Sequence, residues 1–199
     1  MGNIAVFGGT FNPIHSEHIK MVEHLSGLDF IDSILVIPTH IPPHKEVSYL
    51  ASDEDRLNMC RLALGDIKKV KVSDFEIKRQ GKSYTFYTLS AMRKENPEDN
   101  FYVVCGADMA ITLDTWHRYN ELKELCTFLV INRKGTDENE LSNYLNALKN
   151  DGAKIIISDL PTEDISSTKL RAMLNNGQYN DLPEKIANYI KEKGLYKHE

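Results

Sequence analysis

Two histidines three residues apart, His15 and His18, stand just beyond a glycine pair, in the run Gly8-Gly9-Thr10-Phe11-Asn12-Pro13-Ile14-His15-Ser16-Glu17-His18. The apolar stretch before it, Ile4-Ala5-Val6-Phe7, reads as a buried strand. Two glycines allow a tight turn and a close approach of backbone to ligand. Asn12 is a favoured N-cap and Pro13 suits the first position of a helix. A helix starting there turns its unpaired N–H groups and positive dipole end toward an anion. The spacing of the two imidazoles puts them on one face of its first turns. These residue types at one spot predict phosphate chemistry. The plainer alternative is a strand-to-helix loop with two surface histidines, and the full eleven-residue run disfavours it.

A second constellation lies near the other end, Ile165-Ser166-Ser167-Thr168-Lys169-Leu170-Arg171. Ser166 or Ser167 caps a helix, and Arg171, one turn inside, shares the face of Ser167 and Thr168. Hydroxyls, backbone N–H groups and a guanidinium at one spot suit a polyphosphate. Alone, this segment reads as an ordinary capped helix. Together, two helix N-termini from opposite ends of the chain form a clamp for one triphosphate. Zinc is a poor competitor: His-Ser-Glu-His is not HExxH, and neither His40 nor His44 supplies a convincing third ligand. No GxGxxG follows the first strand, and no GxxxxGK[ST] loop occurs.

The elements that must position these residues alternate along the chain. Strands are predicted at 4–7, 33–37, 69–75, 101–105, 127–131 and 154–157. Helices are predicted at 13–27, after the Ser52 to Asp55 cap, and at 85–94, 119–125, 137–149, 166–175 and 183–193, the last closed by Gly194. Alternation with continuous apolar strands implies an α/β fold: a doubly wound, mostly parallel sheet in one domain over 1–199. Ligands of such sheets bind beyond the carboxyl ends of the strands. Loops at Gly8-Gly9, Pro42 to Lys45, Gly106 to Asp108 and Asp164 to Thr168 all follow strands, so they are expected along one sheet edge.

Composition sets the outer limits. The 199 residues are 41% hydrophobic and 27% charged, ordinary values for a soluble globular chain. With 24 basic and 29 acidic residues the net charge is −5, which argues against broad nucleic-acid binding. A local cluster of donors still binds a small anion on an acidic protein. Three cysteines without a CxxC pair point to a reduced, cytoplasmic setting. No leader pattern and no apolar run long enough for a bilayer is read, so no membrane partner is expected.

The first run with its two histidines resembles the signature of HxGH-type nucleotidylyltransferases, and Ile165 to Arg171 resembles their ISSTxxR signature. Within that superfamily the chain is similar to the bacterial nicotinate-nucleotide adenylyltransferases. Pro42-Pro43-His44-Lys45, Gly81-Lys82-Ser83-Tyr84-Thr85, Gly106-Ala107-Asp108 and Thr115-Trp116 carry the same likeness. The resemblance implies a Rossmann-like nucleotidylyltransferase fold and adenylyl transfer from ATP to nicotinate mononucleotide, giving nicotinate adenine dinucleotide and pyrophosphate. It implies His18 at the α-phosphate with His15 beside it, and Lys45 as a further cation. Gly8, Gly9, Thr10 and Phe11 belong to the ATP site, with Ser167, Thr168 and Arg171 at the β- and γ-phosphates. Mg²⁺ arrives with ATP rather than on a protein metal site. Trp116 stacks on the pyridine ring and Thr85 receives its carboxylate. Asp108 fits a ribose-hydroxyl acceptor, with a helix cap as its alternative; Arg133, directly after a strand, is read as a phosphate contact, with a solvated surface arginine as the default.

Two positions depart from the pattern. Glu17 stands where the family has glycine, and Tyr87 where an acidic residue is frequent. A carboxylate beside a triphosphate costs about 1 kcal/mol at about 4 Å in water and more when desolvated. Helical geometry allows Glu17 to point aside or to accept from a ribose hydroxyl. Two other readings remain open: a nucleotide-binding regulatory domain without turnover, and transfer to nicotinamide mononucleotide or pantetheine phosphate. Assembly as a homo-oligomer is also left open.

Overall fold

The computed structural model describes residues 1–43, 49–132, 138–160, 165–180 and 182–197. Six strands form one parallel sheet: β1 (Asn3–Gly9), β2 (Ser33–Pro38), β3 (Val70–Val72), β4 (Asn100–Gly106), β5 (Thr127–Asn132) and β6 (Ile155–Asp159). Their order is β3-β2-β1-β4-β5-β6. The chain winds outward from β1 in one direction, then restarts at β4 and winds in the other. The crevice between β1 and β4 is therefore the switch point where such sheets bind ligands.

Nine α-helices are described: α1 (Ser16–Ser26), α2 (Asp53–Leu64), α3 (Phe75–Arg79), α4 (Thr85–Glu95), α5 (Ala107–Ala110), α6 (Tyr119–Leu125), α7 (Glu138–Asn150), α8 (Ser167–Asn175) and α9 (Glu184–Lys193). Successive strand residues face opposite sides, and both sides are covered. Ala5, Phe7 and Val36 pack with Met21 and Leu25 of α1, Met59 of α2, Leu174 of α8 and Ile186 of α9. Val6, Val103 and Phe128 pack with Leu89 of α4, Leu122 of α6 and Leu145 of α7. Burial on both faces explains why these strands read as unbroken apolar runs. The two edge strands are the exceptions: Lys71 of β3 and Ile156 and Ile157 of β6 stay exposed.

Two local expectations are corrected. The first helix starts at Ser16, with His15 as its N-cap, not at Pro13. The Asn12 amide does not cap it because tertiary bonds occupy it. Its Nδ2 donates to the Tyr49 carbonyl (2.7 Å), and its Oδ1 accepts from Ala51 N–H (3.1 Å) and the Tyr196 hydroxyl (2.8 Å). Second, the strand expected over 69–75 keeps only Val70–Val72. Ser73 Oγ accepts the Phe75 N–H at 3.2 Å and turns the chain into α3, which the polar–apolar alternation had concealed.

Candidate active site

A cleft of about 690 Å³ opens beyond the carboxyl ends of β1 and β4, large enough for a nucleotide-sized ligand. Gly8, Gly9, Thr10 and Phe11 form its floor. The left-handed residue of this turn is Phe11 (φ 46°), not a glycine. That conformation costs about 1–2 kcal/mol for a residue with a side chain. Burial offsets it: the Phe11 ring is 2% exposed and meets Phe7 and His18 edge-on, at 5.4 and 5.0 Å. Gly9 is needed for this packing, since a Cβ there would lie 2.8 Å from the Phe11 ring. Gly8 has open space around its Cβ direction.

His15 is buried and His18 half-buried, with ring centroids 3.8 Å apart. The His15 backbone N–H donates to His18 Nδ1 at 3.3 Å. That bond makes Nδ1 the acceptor, so Nε2 carries the hydrogen of the neutral ring. His18 lines the cleft beside His15.

The second constellation reaches the same spot. Ser166 is the N-cap of α8, its Oγ accepting from Lys169 N–H at 3.3 Å. Ser167 Oγ donates to the Pro13 carbonyl at 3.2 Å. Arg171 Nη1 donates to the Asn12 carbonyl at 2.9 Å, and its Nη2 to Thr168 Oγ1 at 3.2 Å. Segments 154 and 159 residues apart in sequence are thereby hydrogen-bonded to each other. Ser166, Ser167, Thr168 and Arg171 all line the cleft with His15 and His18.

The far wall comes from the second half of the sheet. Thr85 is the first residue of α4, and Asp108 the second of α5; both line the cleft. The helix-cap alternative for Asp108 fails, because Gly106 holds the cap position. Trp116 packs edge-on against Phe128 at 6.4 Å, and its Nε1 is buried with no hydrogen-bond partner among the described residues. Next to it, His117 stacks on Tyr84 at 4.2 Å. Lys45 and Arg133, both expected at the site, and His44 lie outside the described residues.

Known proteins bear on this arrangement. The Cytidylyltransferase-like family matches residues 6–173. A probable nicotinate-nucleotide adenylyltransferase of Enterococcus faecalis is 35% identical over 198 residues, covering 98% of this chain and 85% of the relative. A protein of the same description from Listeria monocytogenes serotype 4b is 35% identical over 193 residues, covering 97% and 96%. The chain belongs to the nicotinate-nucleotide adenylyltransferase family. The fold of this enzyme is shared by a solved Plasmodium falciparum nicotinic acid mononucleotide adenylyltransferase complexed with NaAD. That structure has a TM-score of 0.79 at 22% identity, with 98% of each chain covered.

Both departures from the family pattern have a physical account in this enzyme. Glu17 is 1% exposed and does not line the cleft; its Oε1 accepts from Lys20 Nζ at 2.9 Å. The lysine on the next turn neutralises the carboxylate. Tyr87 shares a hydrogen bond with His117 Nε2 at 3.1 Å, and the Arg79 guanidinium lies 5.6 Å from its ring centre.

Three supporting residues escaped the sequence reading. Arg56 of α2 is fully buried. Its Nη1 donates to the Thr10 carbonyl (2.8 Å) and its Nε to the Ala51 carbonyl (3.1 Å), while Nη2 pairs with Asp53, itself bonded to His40. Burial lowers the Arg56 pKa and Asp53 opposes that shift. The signal was an arginine three and four residues before Met59 and Cys60, on the buried stripe of α2. Tyr196, which holds Asn12, is 1% exposed, and no local pattern marked it. Glu76 is 4% exposed and lines the cleft. The three cysteines are free and buried; burial pushes the Cys105 thiol up to about 12 and raises the other two further, so none is a nucleophile near neutral pH.

Proposed function

We propose that this chain, acting as one nucleotidylyltransferase domain, transfers the adenylyl group of ATP to nicotinate mononucleotide, with nicotinate adenine dinucleotide and pyrophosphate as products. The carrying observation is the direct hydrogen bonding of Ser167 and Arg171 to the backbone of Asn12 and Pro13. It unites two donor sets into one site sized for a triphosphate.

The 5′-phosphate oxygen of the mononucleotide attacks the α-phosphorus in line. A new O–P bond forms as the bond to the β-phosphate oxygen breaks, and pyrophosphate leaves with the electron pair. A phosphate oxygen is already a competent nucleophile, so no general base is invoked. The chain's residues position and stabilise charge. His18 donates through Nε2 to the α-phosphate, with His15 beside it and Lys45 as a further cation. Gly8, Gly9, Thr10 and Phe11 floor the ATP site. Ser167, Thr168, Arg171 and the N–H groups of α8 take the leaving phosphates.

ATP is used with a divalent metal, which we take to be Mg²⁺ delivered on the nucleotide. No group of three His, Cys, Asp or Glu among the described residues is arranged to hold a metal by itself. The donor set, imidazole N–H, hydroxyl and guanidinium, would hold the phosphates of such a metal–ATP complex, and the ion would supply charge neutralisation there. For the acceptor, Trp116 offers its ring to the pyridine, Thr85 at the start of α4 receives the carboxylate, Asp108 meets the ribose and Arg133 a phosphate. No helix among the described residues is long and apolar enough to cross a membrane.

The test is pyrophosphate release from ATP and Mg²⁺ with nicotinate mononucleotide, nicotinamide mononucleotide or pantetheine phosphate. Release with the nicotinate acceptor foremost is expected. Measurable ATP binding with no release from any acceptor would instead support a regulatory nucleotide-binding domain.

A further inference from the structure

Glu76 is the buried acid of the cleft for which adenylyl transfer names no task. It sits in α3, and its Oε1 accepts from Thr88 Oγ1 at 2.7 Å. Its Oε2 is buried and has no hydrogen-bond partner among the described residues. A carboxylate buried in that setting has given up most of its water, which disfavours the charged form. The groups around it from each packed element are few. Arg79, on its own helix, favours the carboxylate, as do the hydroxyls of Thr88 from α4 and Ser83 from the preceding loop. The His40 ring, beyond β2, is engaged with Asp53, and only its backbone N–H reaches Ser83 Oγ, at 2.9 Å. Burial outweighs these and raises the Glu76 carboxyl above the usual glutamate range.

Thr88, the partner of Glu76, lies one turn along α4 from Thr85, and all three residues line the cleft. Thr85 is the residue assigned above to the pyridine carboxylate. We propose that the protonation state of Glu76 sets the preference of this enzyme for an acid over an amide mononucleotide. The proposal rests on the adenylyl-transfer reading and deepens it. While neutral, Glu76 puts no charge behind the carboxylate subsite. Once ionised, it sets a second negative charge on the partner of Thr88, one turn of α4 from Thr85, and this charge repels the substrate's carboxylate, while a neutral carboxamide feels no such repulsion. With intermediate dielectric screening, the repulsion changes relative binding by about tenfold or more.

The experiment measures kcat/KM for nicotinate mononucleotide and for nicotinamide mononucleotide from about pH 5 to about pH 9, and takes their ratio. The ratio cancels titrations common to both substrates, including the 5′-phosphate and the histidines. In the unaltered enzyme the acid-to-amide ratio is expected to fall about tenfold as pH rises. In Glu76→Gln it stays level. Thr88→Val removes the hydroxyl that favours the carboxylate, so the fall moves to higher pH. This second variant decides the question if Glu76→Gln folds poorly. Superimposable pH courses in the unaltered enzyme and Glu76→Gln, or a fall that Thr88→Val leaves in place, overturn the proposal alone. Turnover of neither mononucleotide at any pH sinks the reading of the reaction, and this proposal with it.

Discussion

Replacing Arg56 by methionine tests how the phosphate turn is held. The side chain is fully buried, and its fork spans three segments: the Thr10 carbonyl, the Ala51 carbonyl and the Asp53 carboxylate. Methionine fills much of the volume, so the cavity term is small. The loss comes from the half-buried Thr10 and buried Ala51 carbonyls, at about 1–3 kcal/mol for each acceptor left unpaired. Asp53 adds little, because it is 27% exposed and keeps its bond to His40. The sum, about 2–6 kcal/mol, is large against a typical total of about 5–15 kcal/mol. For a domain of this size it corresponds to a fall of about 10 °C in Tm. Arg56→Lys keeps the charge but not the planar fork, so it should recover less than half of the loss. Urea unfolding of the three proteins measures both numbers. A loss below about 1 kcal/mol for Arg56→Met, or full recovery with lysine, would refute the reasoning.

His18→Ala should lower kcat at least about a hundredfold by removing the Nε2 donor, at a stability cost of only about 1 kcal/mol for the bond from His15 N–H; a variant turning over normally removes His18 from the mechanism. Glu17→Gly should leave ATP binding equal or tighter, since the carboxylate lies off the cleft and is paired with Lys20; calorimetry showing much weaker binding would give Glu17 a role in the site. Glu76→Gln should change stability with pH. The folded pKa of Glu76 is raised above the unfolded value, so its stabilising share is present below that unfolded value and is lost as pH rises through the folded one. The variant should therefore gain Tm relative to the unaltered enzyme on going from about pH 4 to about pH 8. A Tm difference constant over that range contradicts the burial argument.

The sheet was legible in the sequence because strands buried on both faces leave unbroken apolar runs, as at Ala5 to Phe7 and Phe128 to Ile131. The gathering of loops at one edge followed from the alternation, and Gly8, Pro42, Gly106 and Thr168 do line one cleft. Local capping rules failed at Asn12, whose amide answers to Tyr49, Ala51 and Tyr196, residues far away in the chain. The same holds for Phe11: nothing local says that a phenylalanine, rather than the glycines beside it, takes the left-handed turn. Arg56 and Glu76 were missed for a related reason. A charged residue reads as surface until its buried partners are known, and the partners of both include residues on other elements.

In the proposed reaction one site joins the adenylyl group of ATP to a mononucleotide phosphate without a covalent enzyme intermediate. ATP labelled at the α-phosphorus, incubated with the enzyme, Mg²⁺ and nicotinate mononucleotide, tests it most directly. The label should appear wholly in the dinucleotide, with unlabelled pyrophosphate released in equal amount. Label retained on the protein, or recovered in ADP, would contradict the account.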